Sequence, residues 1–383
     1  MDIIDKTSTI LMSTLNFFRR RDTMNIAEND LFLESNNSSK IQSAPPIKLY
    51  IYGNGMYNEL KVNSVSELWP LVEKYKSLGK IWIDVEGRGD LAFIHQIGKY
   101  FDLHELEMED VFNIHQRPKV EYYDHHLFVI SRMIYFSQTH KSLINEQVAF
   151  FVFDNILLTF QEEHEDAFDG VREKMKKNHS MLCNGNIFFL AWALMDAIID
   201  QYFVILDDLG VRLEKIDNQL LHNPQKSNLL EIQSLKREVM FLRKAILAER
   251  DKFAEIERHD FELIDAKTRI YLRDTYDHTS QILDIIESQK EISYSLMEVY
   301  LSAQNNKMSE VMKVLTVISS VFIPLTFIVG VYGMNFSRTD AQGKDLPLNM
   351  PELYSPYGYI GIVAIMILIA IVQIIYFRRK GWI

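Results

Sequence analysis

The stretch VYLSAQNNKMSEVMKVLTVISSVFIPLTFIVGVYGMNF, Val299–Phe336, decides how the chain is organised. It contains most of a 24-residue run without a charge, Val314–Ser337, long enough for a helix to cross about 30 Å of hydrocarbon. A second uncharged run of 25 residues, Leu353–Phe377, follows it closely. Within the latter, Gly358–Phe377 offers only Tyr359, Gln373 and Tyr376 as polar side chains. Two membrane-spanning helices are therefore expected, with a pair of buried core helices as the weaker alternative.

Spacing of three and four places Ser309, Met312, Thr316, Ser319, Ile323, Thr326 and Gly330 on one stripe of the first span. Most of these are Ser, Thr or Gly. Two readings stay open: small residues that let helices pack closely, or the uncharged lining of a water-filled path. The intervening Val317, Val321, Leu325 and Ile328 suit lipid or the second span. Pro324 leaves the carbonyl of Ser320 without its usual partner, so a neighbour or water must satisfy it. Tyr332-Gly333-Met334-Asn335 closes the span. An amide oxygen there, repeated around a symmetric assembly, makes a ring of neutral acceptors for the waters of a hydrated dication. Mg²⁺, which sheds its water shell reluctantly, is the natural cargo.

The flanks orient the hairpin. Arg378, Arg379 and Lys380 abut the second span, whereas the connection 338–352 holds two basic and three acidic residues. Both termini are thus expected in the cytoplasm. Arg19-Arg20-Arg21 precede no apolar run of the signal-peptide kind, which agrees with that orientation and favours a bacterial inner membrane over an organelle.

The remainder is acidic. Residues 1–306 carry 34 Lys and Arg against 48 Asp and Glu, a net charge of −14, while residues 307–383 carry +3. Such a body argues against nucleic acid as a partner and suits cations. A lone cysteine, Cys183, excludes an internal disulfide and a structural zinc site built on several thiolates. It is expected to be a small buried residue.

Between Pro224 and Pro324 lie 99 residues with neither Gly nor Pro, a strong helical signal. Unbroken, they would reach roughly 150 Å, so a fold-back is expected near Arg258–Phe261. The second arm, from about Glu262, runs into the first span as a stalk. Upstream, strand-type runs at Ile47–Tyr52, Ile81–Val85, Leu127–Tyr135, Gln147–Phe153 and Ile156–Gln161 alternate with helical stretches near 66–78, 91–101, 104–113 and 164–177. A further helix is expected over Ile187–His222. The fold class is an α/β cytoplasmic domain joined by long stalk helices to a two-span α-helical membrane hairpin. Its expected divisions are a flexible polar extension 1–46, the α/β domain 47–185, a helical linker 186–261 and the stalk 262–313. Then come the first span 314–337, an external loop 338–352, the second span 353–377 and a basic tail 378–383.

Carboxylates are the remaining chemistry. Asp274 and Asp277 stand about one helical turn apart, as do Asp196 and Asp200, and each pair reads either as a solvated helix face or as cation ligands. Glu162-Glu163-His164-Glu165-Asp166 lacks the two histidines four apart of a helical zinc hydrolase and reads as a solvated helix start. His125 and His126 are expected on the surface. There is no glycine-rich phosphate loop, hence no nucleotide partner, and no catalytic constellation marks an enzyme.

Val299–Phe336 resembles the signature of the CorA family of magnesium and cobalt transporters. Met350-Pro351-Glu352-Leu353, Tyr357-Gly358-Tyr359, Asn113–Glu121 and Tyr271–Thr279 fit as well, so the likeness covers residues 47–383. It implies a homopentameric funnel in the lipid bilayer, gated by intracellular Mg²⁺ bound between subunits, with no organic cofactor. Carried over by position, Gly333, Met334 and Asn335 belong to the selectivity filter, and Met312 and Leu315 to a hydrophobic constriction on the pore-lining stripe. Asp90 and Asp274 face each other across a subunit interface as regulatory metal ligands, with Asp196 and Asp277 as further candidates. The chain departs from the family at Ser309, where relatives often carry Asn, at Ile323, where some carry Met, and in the longer stretch 337–349. The expected activity is passage of hydrated Mg²⁺ into the cytoplasm, with Co²⁺ or Ni²⁺ as further cargo candidates. The alternatives are a zinc transporter of the same architecture and a membrane cation sensor or scaffold that transports nothing.

Overall fold

The computed structural model describes residues 33–34, 45–53, 55–137, 142–163, 165–222, 224–339 and 342–382. They divide into two compact units. The first holds the residues up to Leu221 together with Gln225–Leu296, and the second holds His222–Pro224 and Met297–Ile383.

The first unit is built on an eight-stranded mixed sheet. Its strands are β1 (Leu33–Glu34), β2 (Ile47–Gly53), β3 (Met56–Val62), β4 (Lys80–Glu86), β5 (Lys119–Tyr122), β6 (Leu127–Ser137), β7 (Ser142–Val152) and β8 (Ile156–Gln161). The spatial order is β3-β2-β4-β8-β7-β6-β5, with β1 pairing parallel to β7 at Leu33↔Ile144. β4 and β8 run parallel at the centre, where Ile81, Trp82, Ile83 and Val85 are buried on both faces of the sheet. β2 and β3 form an antiparallel pair whose turn includes Gly53 and Gly55 at φ +106° and +77°, a region that glycine enters without steric cost.

One face of the sheet packs against α1 (Val65–Tyr75), α2 (Leu91–Phe101) and α3 (Glu105–Phe112). Leu49, Ile83, Phe93, Ile97, Phe151 and Leu158 make that core, each worth about 1.5–3 kcal/mol on burial. The strands' alternation puts Tyr50, Trp82, Thr159, Phe150 and Ser131 on the other face, beside α4 (Asp169–Lys176), α5 (Ser180–Asn184), α6 (Ile187–His222) and α7 (Lys226–Arg258). Two charges are wholly buried there: Lys252 pairs with Glu249 and bonds the Ser131 hydroxyl, and Glu249 accepts from the Arg132 amide at 2.7 Å. Removing either partner would strand a charge, so the pair fixes the register of α7 on the sheet.

α7 ends at Arg258 and α8 (Ala266–Tyr332) begins after a seven-residue reversal, 259–265, that contains no glycine or proline. Side chains make this break. Arg269 donates to the carbonyls of Glu257 and His259 at 3.0 and 3.1 Å, while Asp265 caps the new helix by accepting from the Thr268 amide at 2.8 Å. In the second unit α8 continues through Pro324, and α9 (Gly358–Arg379) follows a short 3₁₀ turn, Pro351–Tyr354.

The fold agrees with the expected class and corrects several details. β3 and β5 are additional strands, and β1 falls within the extension expected to be flexible; apart from Pro45 and Pro46, the rest of that extension lies outside the described residues. The 162–166 stretch is not a solvated helix start: the helix opens at Asp169, Glu162 is buried and accepts from the Gln147 amide at 2.7 Å, and Asp166 is paired with Arg172. His164 lies outside the described residues. His126 is buried rather than on the surface, 2.7 Å from Glu107, whereas His125 is exposed. Cys183 is buried and free, as expected.

Candidate functional site

The last turn of α8 is closed by Gly333 donating to the Val329 carbonyl at 2.8 Å and Met334 to that of Val331 at 3.2 Å. A Cβ on Gly333 would stand 3.1 Å from the Val329 oxygen, so the tight turn favours glycine. Asn335 is the first residue past this turn, and its amide is exposed. The chain then folds back on itself. Leu346 donates to the Arg338 carbonyl at 2.8 Å, Asn349 reaches the Ser337 carbonyl at 3.1 Å, and the Tyr354 hydroxyl reaches that of Phe336 at 3.4 Å. A Cβ on Gly358 would meet the Glu352 oxygen at 1.9 Å, which holds the start of α9 close to the 3₁₀ turn.

On α8 the stripe is uncovered: Ser309, Met312, Leu315, Thr316, Ile323, Thr326 and Gly330 are exposed, and Ser319 is half-buried. Val317, Val321, Leu325 and Ile328, in between, are all half-buried. Of the two environments open to those apolar positions, a helix neighbour accounts for their partial cover. α9 has its own half-buried face at Ile362, Met366, Ile369 and Gln373, and Lys313 donates to the Gly381 carbonyl at 2.7 Å. Among the described residues, three helices are long and apolar enough to cross a membrane: α6, α8 and α9. In α6 the apolar window is 56% buried within the protein, against 6% in each of the other two. The hydropathy of α6 is thus met by the domain's own core, while that of α8 and α9 calls for lipid or further copies.

The carboxylates fall into three groups. Asp90 caps α2, accepting from the Phe93 amide at 2.8 Å through one oxygen. Asp196 accepts from the Thr275 hydroxyl at 2.6 Å, and Thr275 accepts from the Trp192 indole at 2.9 Å. Burial, chiefly, holds the Asp196 carboxyl above the usual carboxylate range; Asp200 and Asp274 push the same way, against the Thr275 bond and His278. Asp274 is exposed with His278 3.9 Å away, and Asp277 is exposed. The structure therefore gathers Asp196, Asp200 and Asp274 into one field, with Asp277 beside them on the helix. No interaction links Asp90 to Asp274 within a single chain among the described residues. Thr275, Trp192 and His278 were not singled out from sequence; only His278, four residues from Asp274, had a helical-spacing signal, whereas Thr275 meets Asp196 and Trp192 across 79 and 83 positions.

The third group is buried. Asp84, Glu86 and Asp166 each offer an oxygen within 4.8 Å of the others, a separation at which a metal could sit. Arg172 already stands there: its Nη2 is 2.9 Å from Asp84, 2.5 Å from Asp166 and 3.7 Å from Glu86. The remaining Asp84 oxygen accepts from Thr159 at 2.7 Å and Gln161 at 2.6 Å. Desolvation still lifts the Asp84 carboxyl to about 6, against the pull of Arg172. A guanidinium fork with this geometry does the work of a cation, so the trio is a structural clamp.

An α/β unit, a 67-residue helix and a second apolar helix define the class: a protein with an α-helical part long and apolar enough to cross a membrane. The sequence profile described as CorA-like Mg²⁺ transporter protein matches residues 78–379. The chain is 35% identical to the cobalt/magnesium transport protein CorA of Thermotoga maritima, over 88% of this chain and 92% of that one. It is 25% identical to the protein of the same name from Methanocaldococcus jannaschii, over 79% and 91%. The solved complete structure of the M. jannaschii CorA magnesium transporter superposes with a TM-score of 0.73 at 23% identity, covering 88% of this chain and 98% of that one. The chain belongs to the CorA-like Mg²⁺ transporter family.

Proposed function

We propose that the chain is a channel-like divalent cation transporter that passes hydrated Mg²⁺, with Co²⁺ or Ni²⁺ as further cargo, into the cytoplasm. Its active form is a homopentamer in which the exposed stripe of α8 lines the path. Gly333, Met334 and Asn335 form the outer filter, and Met312 and Leu315 the narrowest apolar stretch. α8 and α9 supply the two spans, both termini face the cytoplasm, and the membrane is the bacterial inner membrane. The observation that carries this reading is an uncharged stripe left uncovered on an apolar helix that ends directly in an exposed Gly-Met-Asn turn. The names of the relatives support the cargo. An inside-negative potential contributes about 2.3 kcal/mol per charge per 100 mV, doubled for a dication, so no other energy source is required.

The test is flux. Full-length protein in liposomes loaded with a Mg²⁺-sensitive dye should give a saturable signal that an inside-negative potential accelerates. Absence of flux would leave a sensor or scaffold; Zn²⁺ flux unaffected by excess Mg²⁺ would mark a zinc transporter.

Regulation rests on the aspartates. Carboxylates crowded around Asp196 and Asp274 repel one another, and a dication bridging them to Asp90 of a neighbouring copy favours one arrangement of subunits. High internal Mg²⁺ then holds the path closed. Millimolar Mg²⁺ should protect the wild-type assembly from protease, and Asp274→Asn should raise the Mg²⁺ needed for half-protection by about fivefold or more, a loss of about 1 kcal/mol. Digestion of the wild type at one rate with and without Mg²⁺ would refute the sensor.

A further inference from the structure

Arg338 follows Asn335 by three positions, so in the proposed assembly every copy brings a guanidinium to the outer mouth. Rings of arginine suit anion paths and oppose cations, because fixed positive charge lowers the local concentration of a dication. The structure shows how this chain handles that charge. The Arg338 guanidinium lies over the Tyr354 ring at 5.5 Å, and its Nε is 3.9 Å from the Asp345 carboxylate. The backbone fixes both partners: a bridge joins Thr339 to Asp345, Leu346 donates to the Arg338 carbonyl, and the Tyr354 hydroxyl reaches back to Phe336.

We propose that Asp345 and Tyr354 hold and neutralise Arg338 at the filter mouth, making this group a determinant of the rate at which dications are admitted. It rests on the transport reading above, since without a path the mouth has no meaning. The group belongs to the stretch between the spans, where the chain is longer than the family's short loop leads one to expect. Asp345 and Arg338 are both well exposed, at 75% and 65%, so the ion pair contributes little to the stability of the loop. Its effect is on the ion instead: an unneutralised charge beside the approach repels a dication with twice the force felt by a monovalent ion, and repetition in each subunit compounds it. Salt screens such charges over about 8 Å at physiological ionic strength, so the effect is larger in dilute buffer.

Initial Mg²⁺ flux of the full-length protein in liposomes, at low and at high salt, tests this. Asp345→Asn should slow the flux by about threefold or more at low salt, and the deficit should shrink at high salt. Arg338→Gln combined with Asp345→Asn should return the rate to within about twofold of the wild type, because the charge that needed neutralising is gone. Each variant is first checked for an unchanged elution volume, so that a lost assembly is not read as a slow one. Unchanged flux in Asp345→Asn, or a double variant as slow as the single, would overturn the inference while leaving transport standing. A wild type that carries no flux would remove both.

Discussion

Asn335→Ala should lower Mg²⁺ flux into liposomes by about a hundredfold or more while leaving the protein folded and assembled. Asn335 is the exposed residue directly past the end of α8, and its side-chain amide oxygen can accept hydrogen bonds from the waters of an approaching hydrated dication. One such bond is worth about 0.5–1.5 kcal/mol net, and somewhat more when the donor waters are polarised by the ion. Removing it from every subunit at once takes away several kcal/mol, and 2.7 kcal/mol already corresponds to about a hundredfold. The turn itself should survive, since it depends on backbone bonds from Gly333 and Met334. Surface substitutions of that kind shift stability by only about 0.5 kcal/mol. Asn335→Gln keeps the amide on a longer arm and should retain measurable flux. Equal flux in wild type and Asn335→Ala would sink the filter assignment and with it the pore.

The long elements were legible because they depend on local chemistry. A stretch of 99 residues without Gly or Pro favours helix, which the structure interrupts only at 259–265, and the Ile187–His222 helix has the bounds its apolar period suggests. The reversal between α7 and α8 was legible only roughly, because it is made by Arg269 and Asp265 rather than by a breaker residue. β3 and β5 escaped notice for a different reason: MYNELKV sits at the sheet edge with polar residues outward, and KVEY has four residues, too few for a period. His126 and the 162–166 carboxylates look like surface residues when read one by one. His126 and Glu162 are buried because partners elsewhere in the fold receive them, Glu107 for the histidine and the Gln147 amide for Glu162, while Asp166 is half-buried against Arg172 six residues on. The candidate site divides along the same line. The stripe, the Gly-Met-Asn turn and the aspartate pairs show in spacing alone, whereas the Trp192–Thr275–Asp196 chain joins residues 79 and 83 positions apart and needs the fold.

Arg172→Leu should destabilise the protein by about 3–5 kcal/mol at pH 7, the cost of leaving buried charge without its counter-ion. Asp84 is fully buried, Glu86 nearly so, and the guanidinium bonds Asp84 and Asp166 directly. Leucine fills part of the volume and offers no donor, so the carboxylates must take up protons or the loop carrying Asp166 must open. Protonation gives the prediction its pH sign. The Asp84 carboxyl titrates near 6 even with Arg172 present, above its unfolded value, so its folded form binds protons more readily than the unfolded chain. Without the arginine that preference rises further. The deficit of Arg172→Leu relative to wild type should therefore be greatest at pH 7 and above and should narrow as pH falls through 6 towards 5. Thermal midpoints of full-length protein in detergent, followed by circular dichroism across that range, measure it. Magnesium separates this clamp from a metal site: if millimolar Mg²⁺ restored the variant's midpoint at pH 7, the trio would be holding a dication. With Arg172 as the resident cation, Mg²⁺ should leave the deficit in place, because three carboxylates shaped around a planar fork lack the octahedral set of oxygens that the ion demands.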